Sequence, residues 1–87
     1  LRPAIIIASP GGQNNILCQI TTKKRNINTY EVQLPKTHTQ GDIRFDSNIY
    51  VDMIFTLDQS LITKTIGTIT HQETKQLLQE KLSKLFA

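Results

Sequence analysis

Residues 5–7 are three isoleucines in a row, Ile5-Ile6-Ile7, set between Pro3 and Pro10. Consecutive β-branched side chains are stiff at χ1 and disfavour a helix, so the segment is driven toward extended structure. Without any alternation of apolar and polar residues, it predicts a strand over 3–9 buried on both faces. Pro10, Gly11 and Gly12 then break the chain into a turn over 9–15. A second strand over 15–22 alternates, with Ile16, Cys18 and Ile20 on one side and Leu17, Gln19 and Thr21 on the other. On this pattern Cys18 is a small core hydrophobe, and Thr21 leaves the core face together with Gln19.

The remaining pattern is also mostly β. Residues 29–34 alternate, 35–41 form a polar loop, and 48–58 give the longest strand. Strict alternation places Ile49, Val51, Met53, Phe55 and Leu57 on one face of that strand, with Tyr50, Asp52, Ile54, Thr56 and Asp58 on the other. Residues 58–61 suit a turn, or one helical turn capped by Asp58. A last strand over 63–69 is interrupted by Gly67. The helix begins at Thr70, where Thr70-His71-Gln72-Glu73 has capping-box spacing. Leu77, Leu78, Leu82, Leu85 and Phe86 form its apolar stripe, and packing on a barrel is the expected use of that stripe. The fold expected is therefore mainly β with a C-terminal helix, a small barrel in one domain spanning 1–87.

Eighty-seven residues bury little apolar surface, so a small domain of this kind gains from a second copy or a bound chain. The single cysteine excludes an internal disulfide framework and fits a reducing compartment such as the cytoplasm. No stretch is long enough to span a membrane. The chain starts in what reads as the last residue of a loop, an expectation that a first strand precedes it.

The formal charge of +3 suits a polyanion without demanding one. Its distribution is more informative. The second strand runs out into Thr21, Thr22, Lys23, Lys24 and Arg25, and Arg2 stands at the mouth of the first. If the two strands are neighbours, Arg2 and Thr21 meet at one rim beside a basic loop. A guanidinium, hydroxyls and cations together suit a phosphodiester, although Lys23, Lys24 and Arg25 can equally be a solvated turn. No phosphate loop, dinucleotide glycine pattern, nucleophile elbow or zinc spacing occurs. Asp42, Asp46, Asp52 and Asp58 lack metal spacing and read as solvated positions. His38 and His71 leave a two-histidine ribonuclease mechanism conceivable.

Five segments in order carry a family resemblance: Leu1-Arg2-Pro3-Ala4, Ile16-Leu17-Cys18-Gln19-Ile20-Thr21-Thr22-Lys23, Tyr30-Glu31-Val32-Gln33-Leu34, Ile54-Phe55-Thr56-Leu57-Asp58-Gln59-Ser60-Leu61, and Ile66-Gly67. Together they resemble the MazF/PemK toxins over nearly the whole chain. The resemblance implies an SH3-like barrel with a C-terminal helix, acting as a homodimeric endoribonuclease that needs no metal or other cofactor. It also implies single-stranded RNA as substrate and a cognate antitoxin that wraps the RNA groove. Arg2 and Thr21 match the family's catalytic pair, and Thr22 matches a hydroxyl that contacts RNA. The expected products carry a 2′,3′-cyclic phosphate and a 5′-hydroxyl.

The remaining expected RNA contacts are Gln19, Lys23, Lys24, Arg25 and Phe55. The long strand departs from the family, with Met53, Ile54, Phe55 and Thr56 where many members carry Gln-x-Arg-Thr. Phe55 then either stacks on a base or joins Met53 in the core or a dimer contact. Two other classes remain: the same barrel binding DNA gyrase without chemistry, as CcdB-type toxins do, and a non-catalytic RNA-binding module. A gyrase binder has no use for an Arg2/Thr21 pair.

Overall fold

The computed structural model describes residues 3–23, 29–62 and 64–87. Strands β1 (Ala4–Ala8) and β2 (Asn14–Thr21) make an antiparallel hairpin. Its turn is eased by Gly11 and Gly12, which take positive φ. Strand β3 (Glu31–Leu34) is followed by a 3₁₀ turn (Lys36–His38) and the short β4 (Thr39–Gly41). The long β5 (Ser47–Asp58), a second 3₁₀ turn (Gln59–Leu61), β6 (Gly67–Ile69) and helix α1 (Gln72–Leu85) complete the chain.

The main sheet runs β1-β2-β5-β3 and is antiparallel throughout, while β4 pairs with β6. Helix α1 packs on β3 and β5. The core comprises Cys18, Val32, Leu34, Ile49, Val51, Ile69 and Leu78, with Ile5, Ile7, Ile20, Ile54 and Leu82 packed around it. The result is a mostly β fold, a curled half-barrel with a C-terminal helix on one face.

One face covered by a helix leaves the other outward, which corrects the expectation for β1. Ile5 and Ile7 reach the core, but Ile6 is 44% exposed on the far side. β5 also breaks strict alternation. Its pairing jumps from Cys18↔Ile54 to Gln19↔Tyr50, so β5 advances four residues while β2 advances one. The extra residues form a bulge that flips the facing order and bends the strand. Val51 and Ile54 therefore both face the core, whereas Met53 and Phe55 lie outside it at 45% and 40% exposure.

Smaller differences have local causes. The expected polar loop over 35–41 contains the 3₁₀ turn and β4. The expected strand over 63–69 is reduced to β6, and Thr63 lies outside the described residues. Gly41 and Gly67 face each other across β4 and β6, where a Cβ on Gly41 would lie 2.5 Å from the Ile66 carbonyl oxygen. The helix cap is His71 and not Thr70: its Nδ1 accepts from the Thr74 amide at 3.3 Å. Thr70 is held one step earlier, its own amide donating to the His38 carbonyl at 2.9 Å. Of the apolar stripe, Leu78 is buried, while Leu77 and Phe86 remain exposed. The Asp58 turn follows the sequence expectation. Its carboxylate accepts from the Ser60 hydroxyl and amide at 2.7 and 2.9 Å, bonds that hold its pKa below the usual value.

Candidate nucleic-acid site

The outward face of the main sheet is organised in cross-strand rows. Ile6, Leu17 and Phe55 form an apolar row by direct pairing. Next to it, Gln19 pairs with Tyr50 and Tyr50 with Glu31; beyond that, Thr21 pairs with Asn48 and Asn48 with Gln33. The face therefore passes from apolar to polar along β2, because Leu17, Gln19 and Thr21 alternate with the core-directed Cys18 and Ile20. Thr21 faces outward with Gln19, as its position in the alternation predicts.

The end of β2 has a defined hydrogen-bond pattern. The Lys23 amide donates to Thr21 Oγ1 at 3.2 Å, a local turn typical of threonine. Tyr50 Oη donates to the Lys23 carbonyl at 2.9 Å, and Asn48 Nδ2 donates to the same oxygen at 3.3 Å. Thr21 Oγ1 is thus an acceptor here, and among the described residues no side chain or carbonyl takes its own proton, which a hydroxyl can donate to an incoming oxygen. Thr22 and Lys23 are exposed, whereas Gln19 and Thr21 are half-buried. Tyr50 and Asn48 were not expected at the site. The only sequence signal for them is parity: both lie out of phase with the core residues Ile49 and Val51.

Arg2, Lys24 and Arg25 lie outside the described residues. The register is defined from Pro3 onward. Ala4 pairs with Gln19, and the Ile20 amide donates to the Pro3 carbonyl at 3.4 Å. The starts of β1 and the end of β2 are therefore at the same rim.

The two histidines meet elsewhere. Their rings stack with centroids 3.7 Å apart and planes 6° from parallel. Each Nδ1 lies near Thr74 Oγ1, at 3.2 Å for His38 and 3.0 Å for His71. They line a cavity of about 500 Å³ beside β3 and α1, and Thr21 is not among its lining residues. Rings stacked on one shared hydroxyl are arranged as a clamp on the helix start, not as an acid and a base either side of a phosphate. Cys18 is fully buried, and burial, with a smaller effect from the Asp52 charge, pushes its thiol up to about 11. It is protonated at neutral pH and offers no nucleophile. Among the described residues no group of three or more metal-ligating side chains occurs, and no helix is long and apolar enough to cross a membrane.

Two solved structures share this architecture. The Mycobacterium tuberculosis toxin MazF-mt6 aligns over 98% of this chain and 85% of its own, with a TM-score of 0.79 and 21% identity. An Mtb toxin crystal structure aligns over 95% of this chain and 90% of its own, with a TM-score of 0.80 and 21% identity. These likenesses are of fold. A comparison with curated proteins gives no match. The family model for the PemK-like, MazF-like toxin of type II toxin–antitoxin systems matches residues 1–86. With the half-barrel, the helix on one face and nearly the whole sequence agreeing, the chain belongs to the PemK/MazF toxin family of type II toxin–antitoxin systems.

Proposed function

We propose that this chain is a sequence-specific endoribonuclease that cleaves single-stranded RNA in the cytoplasm, with Arg2 and Thr21 as its catalytic pair. The observation that carries the reading is the Thr21 hydroxyl, facing outward at the end of β2 with its oxygen already engaged by the Lys23 amide. The register that bonds the Ile20 amide to the Pro3 carbonyl supports the pairing, since it sets the start of β1 beside the end of β2.

RNA carries its own nucleophile. The 2′-oxygen attacks phosphorus, the P–O5′ bond breaks, the 2′-proton is lost to solvent, and the leaving 5′-oxygen gains a proton from Arg2 or water. The products are a 2′,3′-cyclic phosphate and a 5′-hydroxyl. The protein's part is to orient that attack and to stabilise charge on the phosphoryl oxygens. A guanidinium offers a planar fork of donors for two such oxygens and, with a pKa above about 12, is a poor base. Thr21 supplies one further hydroxyl donor. Gln19 and Thr22 flank it on the same rim as RNA contacts. The test is cleavage of a defined RNA by Arg2→Ala and Thr21→Val chains; full activity in either removes the catalytic pair.

Lys23, Lys24 and Arg25 bind RNA backbone in this reading. Replacing all three by glutamine is expected to weaken binding to every RNA sequence alike. The log–log salt dependence should flatten by about two units for a single strand. Binding titrations at several salt concentrations measure this, and an unchanged slope makes the segment a solvated turn.

The apolar row also needs a cover. Ile6 and Phe55 are 44% and 40% exposed in one cross-strand row, directly beside the polar rows, and Met53, in the bulged stretch of the same strand as Phe55, is 45% exposed. A second copy on this face would remove apolar area from water and bring two polar faces together as one groove. An acidic, partly apolar antitoxin segment would compete with RNA for that groove. Phe55→Asp is expected to convert a homodimer to a monomer and to abolish cleavage, whereas Phe55→Leu keeps the dimer. Loss of activity in the Phe55→Leu dimer would assign the ring to base stacking as well. Sedimentation at micromolar concentration decides: a wild-type monomer cleaving at full rate contradicts the dimer.

A further inference from the structure

We infer that Tyr50 is a positioning residue for the cleavage site: by holding the Lys23 carbonyl, its hydroxyl keeps the Lys23 amide on Thr21 Oγ1 and so aims the Thr21 proton at substrate. The inference rests on the ribonuclease reading of Thr21.

The chain of contacts is short and directional. Tyr50 is buried at 7% exposure, with its hydroxyl donating to the Lys23 carbonyl at 2.9 Å. Asn48 adds a second, longer donor at 3.3 Å to the same oxygen. On the other side of the Lys23 Cα, the Lys23 amide donates to Thr21 Oγ1 at 3.2 Å. The peptides before and after Lys23 are thus both tied, one to β2 and one to β5. A threonine hydroxyl otherwise exchanges between staggered rotamers, and its proton rotates about the C–O bond. Accepting from a fixed amide selects one rotamer and directs the hydroxyl proton away from that amide. The origin of the tie is the sheet register, which pairs Asn48 with Thr21 and Tyr50 with Gln19. Tyr50 touches no reacting atom in this scheme. It acts through Lys23.

The test is Tyr50→Phe, which keeps the ring and deletes only the hydroxyl. The expected result is a kcat about 10- to 100-fold lower on a defined RNA with KM little changed, the scale of a misplaced catalytic group. Amide hydrogen exchange at Lys23 should quicken, while protection of Cys18 and Ile49 stays at the wild-type level. Asn48→Ala should show the same pattern more weakly. Wild-type kcat in Tyr50→Phe, or unchanged Lys23 exchange, overturns the inference. So does a parallel loss of protection across the sheet, which would mark a merely structural role. Thr21→Val separates the two levels: an inactive Thr21→Val beside a fully active Tyr50→Phe refutes the positioning role alone. A fully active Thr21→Val refutes the reading and the inference together.

Discussion

An Arg2→Ala chain is expected to lose RNA cleavage by about 10²-fold or more while folding normally, the cost of removing one preorganised donor to a transition-state oxyanion. Arg2 precedes β1 in the sequence, and a charged arginine side chain is seldom part of an apolar core. Arg2→Lys should recover little, because an ammonium cannot present two parallel donors to two phosphoryl oxygens. Cleavage rates on a fluorescent RNA, read beside circular dichroism of the same samples, measure both halves of the expectation. Full cleavage by Arg2→Ala would remove Arg2 from the chemistry. A gyrase-binding or purely RNA-binding role would then be the next to test.

The largest effect on stability is expected at Ile49. Its side chain is fully buried, it pairs with Ile20 on one side and Val32 on the other, and it sits at the centre of the core cluster. Truncation to alanine removes three carbons and leaves a cavity that neighbouring strands cannot close, a loss of roughly 2–5 kcal/mol. A domain of this length has a total stability on the order of 4–13 kcal/mol. Ile49→Ala is therefore expected to lower the urea midpoint sharply and, toward the lower end of that range, to leave much of the chain unfolded. Phe86→Ala, at an exposed position of the same apolar sequence class, should change the midpoint little. Equal midpoints for Ile49→Ala and wild type would contradict the core assignment.

Position explains what was legible. The β-branched run at residues 5–7, the alternation of β2, the Asp58 turn and the leucine spacing of α1 are local signals, and each gave an element of the right type. Cys18 in the core and Thr21 facing away from it follow from period-two geometry alone. The family could also be read, because its segments occur in order along the chain and need no contacts to be recognised.

What alternation could not supply is where it fails. The bulge in β5 exists because one long strand must pair with both β2 and β3 while curling around a single core, so Met53 and Phe55 turn outward despite their hydrophobicity. Ile6 faces out for a related reason: a helix covers only one side of the sheet, and an edge strand shows its other side to the surroundings. The cap moved to His71 because tertiary hydrogen bonds from the Thr70 and His71 amides to the His38 carbonyl tie down this approach to the helix, leaving His71 extended with its ring nitrogen on the Thr74 amide. Sequence determined the four strands of the main sheet, the helix and the outward threonine, since these depend on neighbours along the chain. Only the tertiary structure set Tyr50 and Asn48 on the Lys23 carbonyl, because a hydrogen bond between residues more than twenty positions apart depends on register between strands.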